Sequence, residues 1–385
     1  MDFDRVVDRR QSDSIKWNYY DEDVTPMWIA DTDFESPPCV IEALHERVSH
    51  GIFGYAKVAD SLYDVIIERK KQRFNWDVSK PQISFVPGIV TGFNLAIRAV
   101  CQPGDAVIYQ TPAYPPFLSA PESGGFRSVH NEMIQQADGS YLIDFDSFER
   151  QIVDNKVKAF ILCNPQNPTG RVFSRKELEQ LAEICLRHHV VICSDEIHCD
   201  IVYHEHTHIP IASLSKEVSE NTLTFIAPSK TYNIAGLHAS VAIIQSEKLF
   251  TQFCRAREGI VGNPGLLALV AAEAAFRGGD DWLRQCIDYL TVNRDWLVEN
   301  VPRLLPGVKM AKPQATFLGW LDCRETGLTN PQKFFLEKAR IGFNEGSAFG
   351  SNGCGFVRLN FGTQKAILED AVRRMSGALS VTRAC

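Results

Sequence analysis

The chain has 385 residues, 45% of them hydrophobic and 23% charged, with a formal net charge of −7. That length exceeds one ordinary core and predicts two domains. The acidic balance excludes an electrostatic nucleic-acid surface or a polybasic membrane anchor, and no apolar run approaches membrane-spanning length. The opening Met1-Asp2-Phe3-Asp4-Arg5 lacks the hydrophobic region of an export signal. The 11 cysteines are scattered without a C-x-x-C pair, and Cys163 and Cys193 lie inside apolar runs. Reduced thiols of a cytoplasmic protein, rather than disulfides, are expected.

The first forty or so residues, rich in acids and prolines, are expected to fold back onto the smaller of the two domains. From about Ser84 to Ser246 strand and helix signals alternate, the rhythm of a mostly parallel, seven-stranded sheet covered by helices on both faces. The strands are expected at 84–86, 106–110, 126–131, 159–164, 190–194, 223–227 and 239–245. Helices are expected at 88–101, 145–153, 174–188 and 264–277. Gly88 opens the first of these, where free backbone N–H groups and the positive end of the helix dipole suit an anion. Ser174 and Glu177 make a capping box. Residues 280–301 read as a long connecting helix closed by Pro302 and Pro306-Gly307, with a smaller α/β segment beyond. The expected limits are 45–280 for the large domain and 1–44 with 281–385 for the small one.

Three of these strands end in residues that carry chemistry. Phe160-Ile161-Leu162-Cys163 is a continuous apolar run that stops at Asn164-Pro165-Gln166-Asn167-Pro168, where prolines fix the backbone and amide side chains leave the sheet edge. Val190-Val191-Ile192-Cys193-Ser194 ends in Asp195-Glu196. Thr224-Phe225-Ile226-Ala227-Pro228 ends in Ser229-Lys230. In a parallel sheet such carboxyl ends converge on one crevice, so Asn167, Asp195 and Lys230 are expected to face one another. A lysine at the end of a buried strand loses ammonium hydration, its pKa falls, and it becomes able to form a Schiff base. Acid, amide and imine-forming lysine together suit pyridoxal 5′-phosphate (PLP), whose ring nitrogen pairs with the carboxylate. Plainer roles exist for two of them: a turn lysine for Lys230 and a helix cap for Asp195. Arg358 lies in Phe356-Val357-Arg358-Leu359-Asn360, where an alternating strand buries one face and leaves the guanidinium needing an anion.

One pattern points elsewhere. His204-Glu205-His206-Thr207-His208 satisfies H-E-x-x-H, which binds zinc only on a helix that projects both imidazoles from one face. Ile209-Pro210 follows at once and Val202-Tyr203 reads as extended, so a loop without metal is expected.

The three strand-end segments resemble those of fold-type I PLP enzymes, the aminotransferase class I/II superfamily, and within it the MalY/PatB type of cystathionine β-lyases. The resemblance spans nearly the whole chain. It rests also on Trp28-Ile29-Ala30-Asp31-Thr32-Asp33-Phe34, Gly51-Ile52-Phe53-Gly54-Tyr55, Thr111-Pro112-Ala113-Tyr114, Asp195-Glu196-Ile197-His198 and Val357-Arg358-Leu359-Asn360-Phe361-Gly362. It implies a PLP-dependent transferase fold and the following roles. Lys230 would carry the cofactor aldehyde and move the Cα proton, and Asp195 would hold the ring nitrogen. Asn167 would donate to O3′, and Tyr114 would stack on the ring. Gly88, Ile89, Val90 and Ser229 would bind the phosphate, and Arg358 would grip the substrate carboxylate. Tyr55 would reach in from a second subunit, implying a homodimer with shared sites, and Asp31 would border the substrate.

The chain also departs from the wider superfamily. His238 stands where many members have a phosphate-binding arginine, Ala227 where many have serine, and His198 where many have a tyrosine beside O3′. The histidine at 198 is what the lyase branch shows. The implied reaction is α,β-elimination of cystathionine or an S-substituted L-cysteine to thiol, pyruvate and ammonia. The rival reading is an aminotransferase with the same cofactor. A non-catalytic regulator of the same fold is the alternative from another class, opposed by the intact set of Asn167, Asp195, Lys230 and Arg358.

Overall fold

Seven strands build the central sheet of this computed structural model, which describes residues 1–383. They are β1 (Ile83–Val86), β2 (Ala106–Thr111), β3 (Arg127–Glu132), β4 (Val157–Cys163), β5 (Val191–Asp195), β6 (Thr222–Ile226) and β7 (Ser240–Ile244). The order across the sheet is β1-β7-β6-β5-β4-β2-β3. Neighbours from β6 to β3 run parallel, whereas β7 runs antiparallel to both β6 and β1. Every residue of β2, β6 and β7 is buried, because crossover helices cover both faces. That is why these strands have no solvent-facing polar side, and even their polar residues, such as Gln110 and Thr224, are buried.

The helix Ile89–Val100 lies close against the sheet. A Cβ at Gly92 would meet the Phe225 ring of β6 at 2.7 Å, so glycine allows that approach. Ser174 accepts from the Glu177 N–H, and Glu177 returns a bond to the Ser174 N–H at 2.9 Å, so the capping box forms at the start of Arg175–Arg187. The expected mostly parallel seven-stranded sheet is therefore present, each strand within two residues of its predicted ends.

A second sheet holds β8 (Lys309–Met310), β9 (Leu318–Asp322), β10 (Asn344–Glu345) and β11 (Phe356–Asn360), in the order β8-β9-β11-β10 and fully antiparallel. The helices Asp280–Leu304 and Lys365–Arg383 pack against each other beside it. The N-terminal segment joins this region. Thr25–Pro26 pairs in parallel with Ile341–Gly342, and the Asn360 side chain donates to the Ile29 and Asp31 carbonyls at 2.5 and 2.6 Å. Asp33 fixes the same segment. Its buried carboxylate accepts from Lys16 at 2.9 Å, Arg9 at 2.7 Å and the Trp17 indole at 2.8 Å.

Two local expectations need correction. The long helix continues through Pro302 to Leu304. Proline there costs one bond in the last turn, while Val301 and Leu305, both fully buried, hold that turn in the core. Pro38–Ser49, Asp60–Phe74, Pro115–Ser123 and Glu247–Arg257 are also helical. In Asp60–Phe74 the inward face includes Arg69 and Lys70, which disguises its apolar stripe.

Candidate active site

The carboxyl ends of β1, β2, β4, β5 and β6 open into one cleft of about 650 Å³. Gly88, Ile89, Val90, Tyr114, Asn167, Asp195, His198, Ser229, Lys230 and Arg358 all line it. Asn167, Asp195 and Lys230 thus face one cavity, and strand β11 adds Arg358 from the second sheet. Two candidates lie outside. Tyr55 is fully exposed, on an irregular stretch that also exposes Ile52 and Phe53. Asp31 borders an adjoining cavity, its carboxylate held by Arg9 at 2.8 Å.

Lys230 sits in the short helical turn Pro228–Thr231 directly after β6, and its Nζ donates to the Ala30 carbonyl at 2.6 Å. Burial pulls its pKa down to about 8, with Arg358 adding to the fall and Asp31 and Asp195 opposing it. Asp195 ends β5 and accepts from the Ile197 N–H at 3.0 Å. Burial lifts its carboxyl to about 7, against the pull of that N–H and of Lys230. No cation pairs with it among the described residues.

Arg358 is a buried guanidinium that meets only neutral acceptors. It donates to Asn167 Oδ1 at 3.1 Å, Asn344 Oδ1 at 2.7 Å and the Trp28 carbonyl at 2.8 Å. Its Nε has no partner, and burial lowers its pKa to about 10. His198 is buried with Nδ1 unpartnered, and burial beside Lys230 and Arg358 drops its pKa to about 3, so the ring is neutral. The Tyr114 phenol is pushed up by burial. At the anion end, Gly88 has φ of 107°, a backbone that needs glycine, and its own N–H is spent on the Val86 carbonyl at 2.9 Å. The unspent donors are those of the first helical turn, beginning at Ile89 and Val90.

The profile of the family described as "Aminotransferase class I and II" matches residues 22–375. The chain belongs to this family. It is 41% identical to the cystathionine beta-lyase PatB of Bacillus subtilis, over 99% of this chain and all of that one. Among solved structures it is similar to OvoB, at 44% identity with a TM-score of 0.94 and 99% of each chain covered. It is also similar to the PLP-bound C–S lyase of Staphylococcus hominis, at 32% identity, TM-score 0.93, covering 98% of this chain and 99% of that one.

For a member of the aminotransferase class I and II family, the cleft fits PLP on this chain's own residues. A buried carboxylate lacks a cation, as a ring-nitrogen partner must. Unspent helix N–H groups face the anion end beside Ser229. Asn167 gives its oxygen to Arg358, which leaves its amide nitrogen free to donate. The sequence reading missed Trp28, Ala30 and Asn344. The first two share a quoted motif, but the carbonyls that serve Arg358 and Lys230 leave no trace in residue type. Asn344 carried no signal at all. The H-E-x-x-H stretch has no helical turn, and its last histidine points inward to Glu196.

Proposed function

We propose that this chain is a PLP-dependent carbon–sulfur β-lyase that converts cystathionine or an S-substituted L-cysteine, with water, to a thiol, pyruvate and ammonia. The observation that carries this reading is the joining of Lys230, Asp195, Asn167 and Arg358 in one buried cleft, in a chain similar along its whole length to a cystathionine beta-lyase. Bound PLP supplies an electron sink for charge that develops at the substrate Cα.

The protein's part is to bind, orient and move protons. Arg358, a buried cation without an anion, grips the substrate carboxylate through two parallel bonds. That grip turns the Cα–H bond toward Lys230. The amine of Lys230, its pKa lowered to about 8 by burial, would hold the cofactor aldehyde and is the base placed to take the Cα proton. Asp195 would hold the proton on the ring nitrogen, Asn167 would donate to O3′, and Tyr114 would cover the ring face. The N–H groups of Ile89 and Val90, with the Ser229 hydroxyl, would bind the phosphate; His198 would line the ring pocket as a neutral group. Asp31 orders the wall beside the substrate through Arg9. Loss of the Cβ–S bonding pair to sulfur then leaves a thiolate that needs a proton, from Lys230 or from Tyr55.

Tyr55 would come to the site from a second copy of the chain, in a homodimer with shared sites. Its complete exposure beside exposed Ile52 and Phe53 supports that assembly. The contacts of the first residues with β11 and with Ile341–Gly342 support a division into 45–280 and 1–44 with 281–385. No helix among the described residues is long and apolar enough to cross a membrane. Ten cysteines among those residues are free thiols, in keeping with a cytoplasmic site.

The test is incubation with cystathionine and S-alkyl-cysteines, following pyruvate and free thiol. Amino transfer to 2-oxoglutarate without pyruvate would replace the lyase reading by the aminotransferase one. Borohydride trapping with peptide mapping should place the cofactor on Lys230, and Lys230→Ala should abolish the tag.

A further inference from the structure

Glu196 and His208 are buried to within 3% of full enclosure, behind the cleft rather than in it. Glu196 follows Asp195 directly. Its Oε1 accepts from the Ser194 hydroxyl at 3.0 Å and its Oε2 lies 2.9 Å from His208 Nε2. The other imidazole nitrogen, Nδ1, lies 3.4 Å from the Asn164 amide nitrogen. Asn164 Oδ1 accepts from the Phe173 N–H at 3.0 Å, which fixes how that amide faces. Its nitrogen therefore points at His208 as a donor, so Nδ1 accepts and Nε2 carries the hydrogen given to Glu196. Phe74 closes the ring edge-on at 5.5 Å.

This chain of bonds joins two strand ends. Asn164 begins the loop after β4 that carries Asn167, and Glu196 begins the turn after β5 that carries Asp195. The backbone link between them is Asn164 N–H to Asp195 O at 3.0 Å. We propose that His208 and Glu196 form a positioning pair that locks the Asn164–Asn167 loop to the Asp195 turn, so that the side chains serving the cofactor ring keep one spacing. Neither is a catalytic residue, since neither touches the cleft. His208 reaches this place from the loop 204–208, the stretch whose H-E-x-x-H pattern reads in the sequence as a loop without metal. The proposal rests on the PLP reading above.

The test uses the PLP-loaded enzyme and three variants. H208Q can still accept from Asn164 and donate to Glu196. H208F fills the space and does neither. F74L loosens the packing around the ring but leaves every bond of the pair. Visible absorption and circular dichroism of bound PLP report ring environment independently of turnover. The wild-type visible band, and its loss in Lys230→Ala, tests the cofactor reading by itself. H208F is expected to cut kcat by about tenfold or more, with KM within about threefold, and to change the visible circular dichroism. H208Q is expected to recover most of both, while F74L lowers Tm without altering the dichroism. H208F indistinguishable from wild type in kcat and dichroism overturns the pairing. So does F74L matching H208F, which would make the effect mere packing. Should H208F not fold, H208Q takes its place: the wild-type dichroism supports the pair, and an altered one sinks it.

Discussion

Arg358 donates to Asn167 Oδ1 at 3.1 Å, so the group proposed to meet the substrate carboxylate also orients the amide proposed to meet the cofactor. The two cannot act independently. Arg358→Ala is expected to lower kcat/KM by about a hundredfold, from two lost charge-assisted bonds of roughly 1.5 kcal/mol each. Asn167→Ala frees one guanidinium nitrogen and is expected to raise KM as well as weaken PLP. A double-mutant cycle in kcat/KM should give a coupling of about 0.5–3 kcal/mol. Strict additivity would show that the bond does not matter.

The pKa of Lys230, near 8, sets the pH course of cofactor uptake. Only the neutral amine attacks an aldehyde, and the amine is neutral above its pKa. Apoenzyme mixed with PLP should therefore load faster as pH rises through about 8, and level off above. A lysine with its ordinary pKa near 10.4 would keep accelerating to about pH 10, which stopped-flow absorbance would reveal.

Asp195→Asn keeps the shape and the bond from Ile197 but removes the charge that balances a protonated ring nitrogen. A fall in kcat of about a hundredfold is expected, with PLP still bound on Lys230. Full activity in this variant would mean that ring protonation does not depend on residue 195.

Asp33 is the anchor for Lys16 and Arg9, and Lys16 is 1% exposed. Asp33→Ala strands that ammonium, leaving it the Asp31 carbonyl at 3.3 Å and the Asp31 carboxylate at 3.7 Å. A loss of about 3 kcal/mol is expected in urea unfolding. Asp33 is held below its ordinary pKa, by Lys16, Trp17 and Arg9 against its burial. The sign follows: a depressed carboxylate pKa stabilises the fold above its unfolded value, and that stability drains away as acid is added. The wild type should lose more stability than Asp33→Ala as pH falls below about 4.

The sheet was legible because strands covered on both faces leave one signature, an apolar run too short for a helix. Phe160–Leu162 and Val190–Cys193 carry it, and chemistry placed after such runs must fall on one edge. The Asp60–Phe74 helix was illegible for the opposite reason, since Arg69 and Lys70 sit inward, answered by Asp200, Asp280 and the Phe74 ring. Carbonyl partners were out of reach too. The oxygen of Ala30 that receives Lys230 lies 200 positions away, and nothing about an alanine announces it. The loop at 204–208 was legible from Ile209-Pro210, whereas the burial of His208 against Glu196 was not, because a polar loop gives no sign of which side chain turns inward.

The bond from Arg358 to the Trp28 carbonyl spans 330 positions. During synthesis Asn167, Asp195 and Lys230 emerge well ahead of the arginine. The grip proposed for an amino acid is therefore the last part of the cleft to be synthesised, and the cleft is complete only once β11 lies beside the segment that carries Trp28.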